Sequence, residues 1–401
     1  MCSVAKTEAA ERAPETFSLG QVLRAWRKSR GADLPGLPPH HWKVIGRLSA
    51  CRTPDMGGHV YRCEDCGRDH FAPHSCRDRH CPGCQPMRGF DWTEAQVKSL
   101  LPVPYFHVVF TLPHELNPLI AQNQAPLYKL LFDTASSILL EFGRNRFKAQ
   151  IGITTVLHTW SQNLSDHYHL HCIVTGGGLR LDGSGWATSP KHYLFPVKAL
   201  SKKFRGKYRA GLQRLFEAGE LEFHGRMEAC RSPGEFRKLL AQSCRKKWVI
   251  YAKRPFAGPE QVIAYLARYT HRVGITNNRI RNLDETGRRV TFQYRDYADR
   301  HRQKQMTLSL DEFVRRFRLH ILPARFVKIR HYGLLSNRTR SRKVAAARKA
   351  LGVDSSKLAE LLARINQPRD PAALKCPYCE SGKVRLIQVM IPAWRMARAP
   401  P

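Results

Sequence analysis

Acidic residues are scarce in this chain. Its 401 residues include 32 Asp or Glu against 67 Lys or Arg, which gives a formal net charge of +35 at pH 7. The imbalance is greatest in residues 313–353, which carry twelve Lys or Arg and no acid. A positive field of this size attracts polyanions and raises their rate of encounter. Nucleic acid is therefore the expected partner.

Long apolar runs are also missing. No stretch of 18 apolar residues occurs, and the opening MCSVAKTEAAERAPETFS is polar and unlike a signal peptide. We therefore expect a cytoplasmic protein that makes no use of a membrane. Since 42% of the residues are hydrophobic, a core can form, and the length allows two or three domains.

The cysteines are unevenly distributed. Six of the twelve lie between Cys51 and Cys84, where His59, His70, His74 and His80 are interleaved with them. Twelve cysteines could form disulfides in a secreted protein. In a reducing compartment, this clustering instead indicates metal ligation.

Two CxxC pairs carry the strongest zinc signal. Cys63-Glu-Asp-Cys66 and Cys81-Pro-Gly-Cys84 are separated by fourteen residues. Because zinc prefers four ligands in a tetrahedron, these pairs predict one structural zinc site of four thiolates. A short segment with little core gains folding energy from such a site.

The other cysteines and histidines leave alternatives open. A second zinc could use Cys51, His59, Cys76 and His80, or these are surface histidines and buried thiols. Near the C-terminus, Cys376-Pro-Tyr-Cys379 is a single pair and so half a site. No partners for it are visible in the neighbouring sequence.

Hydrophobic periodicity predicts alternating helices and strands. Helices are expected over residues 17–30, 40–50, 123–148, 197–218 and 259–274. Strands are expected over residues 105–112, 152–160, 167–178, 246–256, 289–296 and 304–310. The short turn between 152–160 and 167–178 favours an antiparallel pair, and the pattern indicates an α+β catalytic domain.

Paired histidines mark one of these strands. In HYHLHC, His169 and His171 are two residues apart, so on a strand both imidazoles point to the same face and can reach one cation. His158, on the neighbouring predicted strand, could supply a third imidazole. The competing third ligands are Gln162, His167 and Glu260.

A pair of tyrosines follows. Tyr265 and Tyr269 are four residues apart, on one face of a predicted helix, with Arg268 and Arg272 nearby. An aromatic pair of this spacing can simply be core. However, a tyrosine can also attack a phosphodiester and retain the 5′ end. A divalent ion polarising the phosphate would assist, and two tyrosines would allow two successive transesterifications.

Several longer tracts together resemble a known family. They include GGHVYRCEDCG, SCRDRHCPGCQ, PYFHVVFTLPHELN, VLHTWSQNLSDHYHLHCIVTGGGL, GPEQVIAYLARYTHRVGITNNRI and ARFVKIRHYGLLSNR. In this order, over roughly residues 40 to 340, they resemble the two-tyrosine HUH transposases of bacterial insertion sequences.

The resemblance implies a central antiparallel sheet flanked by helices, in an HUH endonuclease-like core that follows a small zinc-binding domain. It implies Mg²⁺ or Mn²⁺ at His169 and His171, with Tyr265 and Tyr269 as nucleophiles, and it supports His158 as the third ligand. It further implies cleavage and rejoining of single-stranded transposon ends and target during rolling-circle transposition, with host replication involved indirectly.

Four regions are expected on this basis. They are an N-terminal helical segment (1–50), a zinc-binding domain (51–95), a catalytic domain (96–300) and a basic DNA-binding region with a CxxC pair (301–401). The predicted DNA contacts are Arg268, Arg272, Arg325, Lys328, Arg330, Arg338 and Arg340. Phe326 and Tyr332 could stack on bases, although a core role is also open for each.

Two other functions remain open. A zinc-finger DNA-binding regulator without catalysis would explain the charge and the cysteines. It would leave the histidine strand and the tyrosine pair unexplained. A plasmid relaxase or replication initiator would share the chemistry and differ only in its biological substrate.

Overall fold

The computed structural model describes residues 17–33, 35–190, 194–253, 261–262, 271–353, 375–380 and 383–392. The α-helices in these ranges are α1 (Leu19–Arg30), α2 (Pro39–Ala50), α3 (Gln85–Val97), α4 (Asn117–Gln122), α5 (Gln124–Phe147), α6 (Val197–Glu217), α7 (Pro233–Ser243), α8 (Leu310–Leu319) and α9 (Arg340–Ala350). The strands are β1 (Gly58–Cys63), β2 (Asp69–Pro73), β3 (Tyr105–Thr111), β4 (Ala149–Trp160), β5 (Asp166–Arg180), β6 (Trp186–Thr188), β7 (Ile250–Lys253), β8 (Ile280–Asp284), β9 (Arg289–Asp296), β10 (Arg302–Ser309), β11 (Ile329–Gly333) and β12 (Val384–Met390).

A mixed fold with a central antiparallel sheet is confirmed. The sheet has six strands in the order β11-β4-β5-β3-β7, with β6 paired to β5, and every pairing in it is antiparallel. The predicted hairpin of residues 152–160 and 167–178 is its centre, β4 and β5. The strand predicted over residues 246–256 is limited to β7.

One face of this sheet is covered by helices. Leu170, Cys172 and Val174 of β5 join the main core together with residues of α5 and α6, such as Leu131 and Phe204. Successive side chains of a strand point to opposite faces. The odd-numbered residues of this part of β5 therefore occupy the other face, which is where the site lies.

A second core joins the two ends of the chain. Leu23 and Trp26 of α1 pack with Phe313 and Phe317 of α8 and with strands of the sheet β10-β9-β8, among them Phe292 of β9. The Trp26 indole and the Arg30 guanidinium both donate to Asp311, each at 2.8 Å. The N-terminal helices thus rest on residues from the region predicted as a basic tail.

A third sheet lies in the zinc-binding segment. Its order is β12-β1-β2, so the last described strand of the chain pairs with the first. This pairing joins segments more than three hundred residues apart, and sequence periodicity had predicted none of its three strands. In the described part of the chain, no helix has the length and apolar character needed to cross a membrane.

Candidate metal centre and its surroundings

The second face of the central sheet is rich in histidine. His169 and His171 of β5 point there, next to Ile173, and the register of the hairpin places His158 of β4 directly opposite His169. In β3, the odd-numbered His107 lies on the same face, because Phe106, Val108 and Phe110 enter the main core. Alternation along these strands therefore brings four imidazoles to one side.

His158, His169 and His171 form a compact group. One ring nitrogen from each lies within 4.8 Å of the others. The ring centroids are 5.4 Å apart for His158 and His169, 4.4 Å for His158 and His171, and 4.8 Å for His169 and His171. The group contains no carboxylate. These three imidazoles could hold one divalent cation, which would polarise a bound phosphate.

The imidazoles of His169 and His171 are kept neutral by their surroundings. Burial, together with the neighbouring His167, lowers the pKa of His169 to about 3. Burial and the nearby His169 hold the pKa of His171 well below its usual range, with Arg272 and Lys328 acting in the same direction. Neutral imidazole is the form that binds metal, so the site is prepared for a cation.

A second layer orients two of these rings. Nδ1 of His169 donates to the carbonyl oxygen of His167 at 2.9 Å, which leaves its Nε2 available. Nδ1 of His171 lies 2.8 Å from Nε2 of His107, and the two rings are stacked. Such outer hydrogen bonds fix the tautomer of a metal-binding histidine. Sequence reasoning missed His107, although the alternation of apolar side chains in YFHVVFT was the signal that could have placed it.

Among the described residues, the competing third ligands Gln162 and His167 do not join the close group, although the His167 ring centroid is 4.7 Å from that of His169. The Gln162 amide donates to the Tyr297 hydroxyl at 3.4 Å. The His167 ring faces that of His114 at 5.6 Å, and His167 is not part of the close group. Glu260 is outside the described residues. Of the candidates for the third position, His158 is the one that the register brings to His169 and His171.

Basic side chains surround the histidines. Lys328 precedes β11, its Nζ donates to the carbonyl oxygen of Arg272 at 2.8 Å and lies 5.1 Å from the centre of the Trp160 ring, which stacks on His158. Burial lowers the pKa of Lys328 to about 7, and the nearby Arg79 contributes to this. Arg272 and Lys328 thus place basic groups beside the histidines, where positive charge favours an anionic substrate.

Both predicted nucleophiles, Tyr265 and Tyr269, lie outside the described residues, as does Arg268. The start of their predicted helix is described at Gln261 and Val262, which are helical. Val262 is fully buried and belongs to the same apolar cluster as Ile173, Leu334 and Val344. Because Ile173 follows His171 by two residues on β5, this helix begins on the histidine face of the sheet.

The cysteines form two separate groups, which corrects the predicted grouping. Cys63 and Cys66 do not meet Cys81 and Cys84. Instead, one group consists of Cys51, Cys76, Cys81 and Cys84, and the other of Cys63, Cys66, Cys376 and Cys379. The reason is topological: the loop between β2 and α3 returns Cys76, Cys81 and Cys84 to the end of α2, where Cys51 lies, whereas β1 ends at Cys63 beside the C-terminal segment.

The first cysteine group fits zinc. Its sulfur atoms are 3.6 Å apart for Cys51 and Cys84, 3.7 Å for Cys76 and Cys84 and 3.6 Å for Cys51 and Cys81. A tetrahedron with Zn–S bonds of about 2.3 Å has edges of about 3.8 Å. These four thiols could therefore hold one zinc ion within the helical and loop-rich segment.

His59 and His80, the two histidines predicted as alternative zinc ligands, are not in that group. Nε2 of His59 lies 3.5 Å from Nε2 of His74. His80 bridges two elements: its Nδ1 donates to Asp78 at 2.8 Å, and its Nε2 accepts from the backbone N–H of Leu322 at 3.1 Å. His80 therefore connects the cysteine loop to the segment that follows α8.

The predicted DNA-contacting side chains divide into two groups. Arg325 and Arg338 are exposed. Lys328, Arg330 and Arg340 are partly buried and make intramolecular contacts: Arg330 lies over the Phe132 ring at 4.2 Å, and Arg340 donates to the side chain of Gln96 at 3.3 Å. Phe326 and Tyr332 pack against the main core.

Comparison with known proteins finds a transposase family and a transposase zinc-binding domain. Residues 152–343 match the family described as "Putative transposase", and residues 21–112 match the transposase zinc-binding domain of IS91 type. The chain is 40% identical over 379 residues to the "Putative transposase y4qJ" of Sinorhizobium fredii, spanning 92% of this chain and 95% of that protein. It is 28% identical over 307 residues to the transposase for insertion sequence element IS801 of Pseudomonas savastanoi, spanning 76% of this chain and 72% of that protein.

One solved structure also matches. The conjugative relaxase TrwC, solved in complex with mutant oriT DNA, is 16% identical. The match covers 40% of this chain and 71% of that chain, with a TM-score of 0.24.

Proposed function

The chain belongs to the IS91/IS801 family of insertion-sequence transposases, and from this premise we propose that it cleaves and rejoins single-stranded DNA through a tyrosine–phosphate intermediate. The observation that carries the proposal is the convergence of His158, His169 and His171 on the face where the predicted tyrosine helix begins. Ring nitrogens within 4.8 Å of one another are the donor set for one divalent ion.

The histidines would hold Mg²⁺ or Mn²⁺. When bound, the ion would supply charge neutralisation and polarise the scissile phosphate. The side chains do the remaining work. The carbonyl oxygen of His167 and the ring of His107 orient His169 and His171, while Lys328 and Arg272 place positive charge beside them that attracts the DNA backbone.

The tyrosines are proposed as nucleophiles because of their spacing from Val262. Positions i, i+3 and i+7 of a helix share one face. Helical spacing therefore predicts that Tyr265 and Tyr269 lie on the same face as Val262, which is buried in the cluster of Ile173. Attack by either phenolic oxygen would form a bond to phosphorus and release the 3′ oxygen, which takes up a proton.

Two such tyrosines would allow strands to be rejoined without an energy source. Each transesterification replaces one phosphoester with another, so bond energy is conserved in the covalent intermediate. The second tyrosine could accept a second strand while the first remains linked. Arg325 and Arg338, which are exposed in the acid-free segment, are proposed to contact phosphates in a salt-dependent manner.

A covalent-adduct assay tests the proposal. Purified protein is incubated with circular single-stranded DNA carrying the element's own ends, with and without added Mn²⁺, then denatured, digested and analysed by mass spectrometry. We expect a nucleotide on Tyr265 or Tyr269 only when Mn²⁺ is present. Tyr265→Phe and Tyr269→Phe together should abolish the adduct and leave DNA affinity nearly unchanged, whereas the exposed Tyr251→Phe should behave as wild type.

The same assay separates the alternatives. A protein that binds DNA tightly, retains its zinc and yet forms no adduct with Mn²⁺ would be a DNA-binding regulator, and the proposal would be wrong. Adduct formation on a plasmid transfer or replication origin, but not on the element's ends, would identify a relaxase or initiator instead. His169→Ala should abolish the adduct without changing the zinc content.

A further inference from the structure

The C-terminal CxxC pair has its missing partners at the other end of the chain. β12 pairs antiparallel with β1, so that Val384 lies opposite Cys63, and the backbone N–H of Glu64 donates to the carbonyl oxygen of Lys383 at 3.0 Å. This register brings Cys376 and Cys379 beside Cys63 and Cys66. The matched zinc-binding domain ends at residue 112 and so contains only half of this group.

The N-terminal segment is shaped to receive the strand. Gly57 has a φ of +69°, and a Cβ at this position would lie 2.2 Å from the carbonyl oxygen of Met390 and 3.0 Å from Pro392. Any side chain at Gly57 would therefore push the end of β12 away. A close approach of this kind at a positive φ is the situation that favours glycine.

The two CxxC turns have the same local geometry. In one, the N–H of Gly67 donates to the carbonyl oxygen of Cys63 at 3.0 Å; in the other, Glu380 donates to Cys376 at 2.8 Å. The residue after the second cysteine has a positive φ in both turns, +68° at Gly67 and +59° at Glu380. The turns thus approach each other as a matched pair.

Backbone donors point at the sulfurs. The N–H of Cys66 lies 3.5 Å from Sγ of Cys63, and the N–H groups of Tyr378 and Cys379 are directed to Sγ of Cys376. Such donors stabilise thiolate, which is the metal-binding form. In addition, the Arg68 guanidinium lies over the Tyr378 ring at 5.2 Å, so the two turns also touch through side chains.

The sulfur positions suit a metal and not a disulfide. Sγ of Cys63 lies 3.6 Å from Sγ of Cys379, and Sγ of Cys66 lies 3.6 Å from Sγ of Cys376. A disulfide requires about 2.05 Å, whereas the edge of a zinc–thiolate tetrahedron is about 3.8 Å. None of the four cysteines forms a disulfide, and their ligand atoms lie within 4.8 Å of one another.

We propose that Cys63, Cys66, Cys376 and Cys379 bind a second structural zinc ion that fastens the C-terminal segment to the N-terminal zinc-binding domain. Zinc is favoured because the donor set is four soft thiolates without imidazole or carboxylate. The ion links residues more than three hundred positions apart in the chain. The metal site of the N-terminal domain therefore has all four ligands only when the C-terminal segment is present.

β12 depends on this metal site because its side chains bury little apolar surface. Every residue of β12 after Val384 is exposed, including Leu386, Ile387 and Val389. Backbone pairing with β1 is thus supported by little apolar contact. A segment that lacks a core of its own is the usual setting for a structural metal.

Zinc content and thiol reactivity of the full chain test this inference. The double variant Cys376→Ser/Cys379→Ser should contain one zinc ion per chain fewer than the wild-type protein. The matched control, Cys230→Ser with Cys244→Ser, changes two partly buried thiols outside both groups and should lose none. The single variant Cys379→His keeps a zinc-binding side chain at this position, so its zinc content should equal that of wild type. An unchanged zinc content in the Cys376/Cys379 double variant, with its fold intact, overturns the proposal.

A second measurement needs no variant. Cys66 and Cys379 are exposed, whereas Cys244 is only partly so. If zinc holds the first two, they should alkylate more slowly than Cys244 in native protein and become reactive when zinc is removed with a chelator. Equal or faster alkylation of Cys66 and Cys379 in native protein excludes the site. Neither readout depends on DNA cleavage, so failure here is distinct from failure of the proposed strand transfer.

Discussion

Nε2 of His107 on β3 lies 2.8 Å from Nδ1 of His171 on β5, and the two rings stack with an interplanar angle of 5°. The contact is diagonal across the β3–β5 pairing, since His107 lies directly opposite Ile173 and His171 is two residues further along β5. His107 is buried and lies outside the group formed by His158, His169 and His171. His107 therefore orients the ring of His171, a candidate metal ligand, although the two residues are far apart in the sequence.

His107→Ala should weaken binding of the divalent ion. Removing the outer hydrogen-bond partner of a ligating histidine lowers metal affinity by about 10- to 100-fold. Titration of the protein with Mn²⁺, followed by electron paramagnetic resonance or calorimetry, measures the change. The control is His224→Ala, which alters an exposed histidine paired with Glu222. Equal Mn²⁺ affinity in both variants would remove the positioning role of His107.

His80→Ala should destabilise the protein without releasing zinc. The substitution leaves the N–H of Leu322 without its acceptor and removes the ring donor to Asp78, whose Oδ1 keeps the backbone N–H of residue 80; the lost contacts cost about 1 to 3 kcal/mol of unfolding free energy. Chemical denaturation and metal analysis of the same samples check both parts. Cys76→Ser should instead reduce the zinc content, and loss of zinc from His80→Ala would return His80 to the list of ligands.

Lys328 should make stability depend on pH. Burial lowers its pKa to about 7 in the folded protein, from an unfolded value of 10.5. The folded state therefore disfavours the ammonium, and this destabilisation is complete below pH 7 and disappears as the pH rises towards 10.5. Relative to wild type, Lys328→Met should gain more thermal stability at pH 6.5 than at pH 9.5.

The exposed Lys349→Met is the control for that comparison. Its difference from wild type should be the same at both pH values, because the Lys349 side chain is exposed to solvent. Subtracting wild-type melting temperatures at each pH removes the contribution of all other groups. A pH-independent difference for Lys328→Met would contradict the lowered pKa.

Arg325 and Arg338 should contribute to DNA affinity through charge alone. Replacing both with alanine should weaken binding of single-stranded DNA and reduce the slope of log affinity against log salt by about 2, roughly one for each phosphate contact. Fluorescence anisotropy over a salt series measures the slope. The control replaces the exposed Arg226 and Arg237 with alanine. It removes the same two positive charges and should alter the slope much less. Equal effects of the two pairs would indicate a diffuse field instead of a binding surface.

Local patterns determined much of this protein. The apolar spacing of α5 and the alternation of β4 and β5 follow from helical and strand periodicity, which involves neighbours in the chain. The grouping of His158 with His169 and His171 was predictable for the same reason, since a short hairpin fixes its own register. The positive charge and the order of the longer tracts likewise indicated a DNA-acting transposase.

Only the tertiary structure decided which distant residues meet. CxxC spacing shows that Cys63 and Cys66 act as a pair, but any other pair could complete four ligands. Cys376 and Cys379 complete the group because β12 pairs with β1. Sequence periodicity cannot predict this pairing, because the two strands are far apart in the chain. His107 and Lys328 reach the histidine face in the same way, through β3 and β11. Contacts across a sheet depend on strand order, and strand order is set by packing of the whole chain.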